Sequence, residues 1–217
     1  MTTLIPNRFL FSLEFPLHHR KQLPRIDGKL SDWTDADLLP ALGEIDDQPE
    51  FARVWSCWNE TGIAIATRVK NKRQPLRCDP KKYWKGDNLR LCIDTRDARK
   101  NKRATRYCHQ FFFLPTGGGT QKNLPVAGLG KLQHAREQAP QTPGGKITIA
   151  SHVTKTGYAL EAIISADGLF GFNPQDHPRL GFYYMLEDTD HGQQHLTIGD
   201  ELYWNADPST WATAVLV

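Results

Sequence analysis

No stretch of this sequence keeps a 3.6-residue apolar period for more than a turn or two, whereas short apolar runs recur between clusters of Gly, Pro, Asn and Asp. That pattern constrains the fold more than any other feature. Short strands bury their apolar faces by stacking one sheet on another, and a chain without periodic helices cannot build an α/β layer. The expected class is therefore all-β: a jelly-roll-like β-sandwich of two antiparallel sheets with short helical turns.

Strands are expected wherever period-two alternation or a bounded apolar run occurs. Phe9, Phe11, Leu13 and Phe15 alternate with Leu10, Ser12 and Glu14. The segments 52–58 and 62–69 flank Asn59, Glu60 and Thr61, which reads as a hairpin with a polar turn. Further strands are expected over 88–94, 107–114, 146–153, 158–164, 180–187 and 211–216, and a second hairpin turns at 154–157. The stretch 116–145 is rich in Gly, Pro and Gln and reads as a long excursion holding at most one short strand. Residues 165–171 could form a single helical turn. No internal repeat or linker divides the 217 residues, so one domain over 1–217 is expected.

Composition narrows the class further. No apolar run approaches the roughly 20 residues of a membrane-spanning helix, and no secretory signal is evident, so the chain is cytoplasmic, without its leader, or cut from a longer protein. Cys57, Cys78, Cys92 and Cys108 form no Cys-x-x-Cys pair and have no His at zinc-finger spacing; they read as free core thiols, with a Cys92–Cys108 disulfide as the rival. Net charge is only +3, yet Arg96, Arg99, Lys100, Lys102, Arg103 and Arg106 fall within eleven residues, and His18, His19, Arg20 and Lys21 form a second basic knot. A solvated loop is the plain reading of the first cluster and an anion-binding rim the functional one.

Catalytic signatures are missing: there is no G-x-S-x-G, no H-E-x-x-H, no Walker loop and no Rossmann glycine pattern. Paired acids such as Asp46–Asp47 and Glu187, Asp188 and Asp190 are compatible with glycoside hydrolysis or with calcium, but none follows the twelve-residue EF-hand pattern. The six tryptophans are more informative. Trp33 follows Ile26-Asp27-Gly28 in a loop, Trp55 and Trp58 fall on opposite faces of one strand, and Trp84, Trp204 and Trp211 lie near strand ends. A flat indole can stack on the apolar face of a sugar ring while neighbouring polar groups bond the hydroxyls. Core packing is the competing role, and it suits Trp58, Trp33 and Trp211 best.

Ile26-Asp27-Gly28 with Asp32-Trp33, Val54 to Trp58 with the strand after it, Trp84-Lys85-Gly86-Asp87-Asn88-Leu89-Arg90-Leu91, Gly157-Tyr158 with Glu161-Ala162, Gly181-Phe182 leading to Asp188, and Trp204 with Asp207-Pro208 and Trp211 occur in this order. From about Pro24 to the C-terminus the chain resembles the family 9 carbohydrate-binding modules and their DOMON-like relatives. The resemblance implies a β-sandwich, often with bound calcium, in which two tryptophans clamp a sugar. By motif, Trp84 resembles one clamp residue and Trp204 the other, and Asp87 resembles the acid that shapes the clamp's loop, with turn-capping as its structural alternative.

Two departures qualify what the resemblance implies. Arg90 stands where sugar-binding members place an acid, and the strand that supplies a basic contact reads Gln110-Phe111-Phe112-Phe113. The expected function is thus non-catalytic carbohydrate binding, the sugar stacked between Trp84 and Trp204, with Asp87, Arg90, Gln110 and Glu201 as candidate polar contacts. Arg90 and the 96–106 loop add a preference for anionic glycans if both border Trp84. The expected partner is an oligo- or polysaccharide end, with a glycan-processing enzyme as an associate. The alternatives are a haem or redox module using Met185 with His109 or His152, a glycosidase, and nucleic-acid binding through the basic loop.

Overall fold

The computed structural model describes residues 12–48, 50–140 and 146–217. Among them the strands are β1 Glu14–Leu17, β2 Ala52–Asn59, β3 Gly62–Lys70, β4 Asn88–Asp94, β5 Cys108–Gly118, β6 Leu124–Gly130, β7 Ile147–Thr154, β8 Gly157–Ser165, β9 Arg179–Asp188, β10 Gly192–His195 and β11 Ala212–Leu216. One sheet runs β1-β11-β9-β4-β5-β6 with β10 added to β9, and the other runs β2-β3-β8-β7. The expected sandwich forms, with one correction: β1 pairs parallel to β11, so the larger sheet is not wholly antiparallel. Phe9 and Phe11 of the first expected strand lie outside the described residues.

Alternation decides which side chains meet between the sheets. Leu89, Leu91 and Ile93 of β4 sit opposite Phe113 and Phe111 of β5 and Leu186, Tyr184 and Phe182 of β9. They face Val54, Ile63, Ile65, Leu160, Ala162 and Ile164 of the smaller sheet within one core cluster. Burying an apolar side chain of this size contributes roughly 1.5–3 kcal/mol, so these rows fix the strand register. The β2–β3 turn is set locally: Asn59 Oδ1 accepts from Thr61 N at 2.9 Å and from Thr61 Oγ1 at 2.6 Å, and Gly62 follows at φ 152°.

Each sheet is also covered in part on its outer face. Segment 23–38 lays Leu30 and Trp33 over Trp55, Cys57, Ala64 and Ala66 of the smaller sheet. Buried Glu161 fastens it, accepting from the backbone amides of Asp27 and Gly28 and from Trp33 Nε1 at 2.9 Å. On the larger sheet, Leu196, Ile198, Trp204 and Trp211 cover the β9 side: Tyr183 Oη donates to Ile198 O at 2.6 Å and Trp211 Nε1 to Trp204 O at 2.8 Å.

The four cysteines are free, and the Cys92–Cys108 disulfide does not form. Burial pushes the thiols of Cys57 and Cys108 up to about 12, and that of Cys92 well above its ordinary value. A thiol reagent should therefore count four thiols in unfolded protein without reductant, with Cys57, Cys92 and Cys108 slow to react in the folded state. A count of two in the unfolded protein would contradict this arrangement.

Candidate functional site

The outer face of the larger sheet carries the residues of interest. Asn88, Arg90 and Cys92 of β4 point away from the sandwich core, opposite Phe112 and Gln110 of β5 and Glu187, Met185 and Tyr183 of β9. Glycines on β6 leave room above this face. A Cβ on Gly128 would lie 2.6 Å from the Phe112 ring, and one on Gly130 would lie 2.6 Å from Gln110 Oε1 and 2.8 Å from Tyr83 Oη. Into that room comes the 77–87 loop, whose Tyr83 stacks on Phe112 at 4.2 Å and 10°. Trp84 meets Tyr83 edge-on at 5.3 Å and remains 47% exposed.

Asp87 builds the base of that loop. Its amide donates to Arg77 O at 2.8 Å, and its Oδ2 accepts from Arg77 N at 2.6 Å. Its Oδ1 takes Lys72 Nζ at 2.7 Å and Thr189 N at 3.1 Å. Asp87 is wholly buried, so it positions the Trp84 loop from beneath. Burial opposes its charge, but the Arg77 amide, Lys72 and the Thr189 amide hold its carboxyl below the ordinary range.

Lys72 Nζ is the centre of a second construction. It lies 2.8 Å from Asp188 and 3.6 Å from Asp190 as well as 2.7 Å from Asp87, and its side chain is 2% exposed. The acidic turn 187–190, expected to offer oxygen ligands to calcium, is thus closed on an ammonium of the chain itself. Among the described residues no group of three or more His, Cys, Asp or Glu is arranged to hold a metal ion.

From the β9 side comes segment 199–207. Trp204 has no exposed surface: it stacks on Tyr183 at 4.8 Å and 21°, Arg90 covers it at 5.0 Å, and its Nε1 donates to Asp200 Oδ1 at 2.7 Å. The expected clamp is therefore corrected at this residue, which offers a sugar no free face. Its neighbour Tyr203 is 68% exposed and adopts φ 55°, a left-handed conformation unusual for an aromatic residue. Sequence reasoning passed over Tyr203, although two adjacent aromatics on a turn cannot readily both enter the core. Glu201 is exposed on the same turn, and a Cβ on Gly199 would lie 2.5 Å from its Oε2 and 3.1 Å from His195 Nε2.

Arg90 and Gln110 lie on the outer face, and both are buried. Arg90 pairs with Glu187 at 2.9 Å. Burial, with Asp200 nearby, lifts the Glu187 carboxyl above the ordinary range in spite of Arg90. Asn88 Oδ1, Arg90 Nε and Gln110 Oε1 have no hydrogen-bond partner among the described residues. Three such atoms on one face are costly unless water or a ligand reaches them.

The basic loop is placed elsewhere. It leaves the Asp94 end of β4, whereas Trp84 precedes the Asn88 end, and most of its cations have internal partners. Arg96 donates to Thr95 O and Gly171 O, Arg99 to Thr213 Oγ1 and Arg103 to His134 O, while Arg106 pairs with Glu137. The proposed haem ligands also fail to converge: Met185 faces outward opposite Arg90, His109 faces inward opposite Ile93, and His152 stands on the other sheet.

No family model and no curated protein matches the chain. Among solved structures, a family 9 carbohydrate-binding module from Caldicellulosiruptor kristjanssonii in complex with cellotriose is similar over 94% of this chain and 93% of that one, with TM-score 0.59 and 12% identity. Its complex with glucose gives the same score and identity over 95% of that chain. A Bacteroides uniformis protein is similar over 94% of this chain and 99% of its own, with TM-score 0.56 and 9% identity. Likeness at such identities is a likeness of backbone, and by it this chain has the fold of a family 9 carbohydrate-binding module.

Proposed function

We propose that the protein binds carbohydrate without transforming it, a sugar ring lying on Trp84 at the rim of the outer face of the larger sheet. The observation that carries this reading is the partition of the tryptophans. Trp33, Trp55, Trp58, Trp204 and Trp211 are all buried, and Trp84 alone stands nearly half exposed, on a loop anchored from below. An indole held half exposed on an anchored loop presents a flat apolar face on which a sugar ring can stack.

Tyr203, exposed on segment 199–207, supplies the second ring in place of Trp204. Glu201, with Gln110 and Arg90 beneath, supplies the polar contacts that orient hydroxyls. The fold's likeness to modules solved with cellotriose and glucose supports the substrate class. Calcium has no part in this reading, because Lys72 supplies the positive charge that Asp87, Asp188 and Asp190 demand. The module acts alone or beside a glycan-processing enzyme.

Tryptophan fluorescence titrated with glucose and with cellotriose tests the proposal. Wild type should show a saturable change, and Trp84→Ala should weaken it about tenfold or more, as loss of a central aromatic contact does. A wild-type protein that responds to no glycan would remove the proposal, and an undiminished response in Trp84→Ala would move the site.

A further inference from the structure

Two cavities lie at the far edge of the smaller sheet, on either side of the β7–β8 turn. One has a volume of about 540 Å³ and the other about 460 Å³, within the roughly 300–1,000 Å³ of small-ligand clefts, and Thr154 and Gly157 line both. The first is a trough on the outer face. Cross-strand rows run Arg68–Ala159–His152 and Lys70–Gly157–Thr154, so small residues form its floor and cations stand on its flank. The second is bordered by Arg73, Lys122 and Lys155.

The charge is one-sided. No acid lines either cavity among the described residues, and Arg68, Lys70, Arg73, Lys122 and Lys155 make no ion pair there. Two acids beside the cavities are already engaged. Asp190 accepts from the Arg73 and Gln74 amides and faces Lys72, and Asp27 stands 4.0 Å from Lys29. Here, in contrast to the 96–106 loop, cations converge on concave surface without internal partners, and a groove lined by one sign of charge concentrates the opposite sign.

From this we infer that the paired grooves around the 154–157 turn bind a linear acidic polysaccharide, its carboxylates or sulfates set between Arg68 and Lys70 on one side and Lys122 and Lys155 on the other. Nucleic acid is disfavoured because no exposed Trp, Tyr or Phe lines either groove for bases to stack on, whereas Asn71, Thr154 and Thr156 offer polar groups to sugar hydroxyls. The inference goes beyond the Trp84 site and stands without it.

Binding of dextran sulfate and oligogalacturonate oligomers to the full chain, with neutral dextran as control, tests the inference. Either acidic oligomer should bind with an affinity that falls as salt rises, the two arms telling sulfate from carboxylate. Arg68→Gln with Lys70→Gln should weaken it about tenfold, and Lys122→Gln with Lys155→Gln similarly, while Lys100→Gln with Lys102→Gln leaves it unchanged. All these positions are on the surface, so an unaltered unfolding transition separates lost binding from lost fold. The inference is overturned if neither acidic oligomer binds, if the groove variants bind as wild type does, or if a single-stranded oligonucleotide of equal charge binds as tightly through the same cations.

Discussion

Lys72→Ala should destabilise the protein by about 3–5 kcal/mol, because it strips the counter-charge from carboxylates that have no access to water. Asp87 and Asp188 are 0% exposed at the side chain and both lie within 2.8 Å of Lys72 Nζ. In wild type, hydrogen bonds to Asp188 and Asp87 hold the Lys72 ammonium above its ordinary pKa even though burial opposes it, and Asp87 and Asp190 are held below theirs. A depressed folded-state carboxylate pKa gives stability that is present above the unfolded value and lost as pH falls through the folded one. Wild type should therefore change little between pH 7 and 5 and weaken in more acidic solution.

The variant should do the opposite in the upper window. With no ammonium, the buried acids repel one another and their folded pKa rises above the unfolded value, so the folded state binds more protons and stability climbs as pH falls from 7 towards 5. Urea unfolding at pH 7 and pH 5 reads both effects, and equal stability of Lys72→Ala and wild type at pH 7 would show that the cluster is open to solvent.

The strands were legible where their side chains alternate and illegible where pairing rests on backbone alone. β4 falls at Asn88–Asp94 as the pattern requires, because Leu89, Leu91 and Ile93 must share one face. β10, Gly192–His195, carries no apolar alternation; it is held by pairing to β9 and by Gln194, whose side chain bonds the amides of Phe51 and Ala52. Among the site residues, the loop carrying Trp84 and Asp87 is built by local chemistry, closed between Arg77 and Asp87. The partnership of Lys72 with Asp87 and Asp188 joins positions 15 and 116 residues apart, and no local pattern marks it. Likewise the cluster of charge in 96–106 suggested a rim, but the free cations of the grooves are scattered over one strand, β3, and three loops and meet only in the fold.

Trp204 and Trp84 should separate cleanly when each is cut to alanine. Trp204 fills space between Tyr183 and Arg90, anchors Asp200 through its Nε1, and accepts Trp211 Nε1 on its carbonyl. Removing a wholly buried indole leaves a cavity and an acid without its donor, and substitutions of this kind cost about 3–5 kcal/mol, lowering the melting midpoint by roughly 10 °C in a chain of this size. Trp204→Phe keeps the stack on Tyr183 and loses the bond to Asp200, so it should cost nearer 1–2 kcal/mol. Trp84→Ala, on an exposed loop, should stay within about 0.5 kcal/mol of wild type while losing sugar binding. Denaturant unfolding of the three variants beside the fluorescence titration assigns each ring its task. If Trp204→Ala were as stable as wild type and lost its sugar, the indole would have to leave Tyr183 and Arg90 in solution, and the clamp suggested by the motif would stand with Trp204 as its second face.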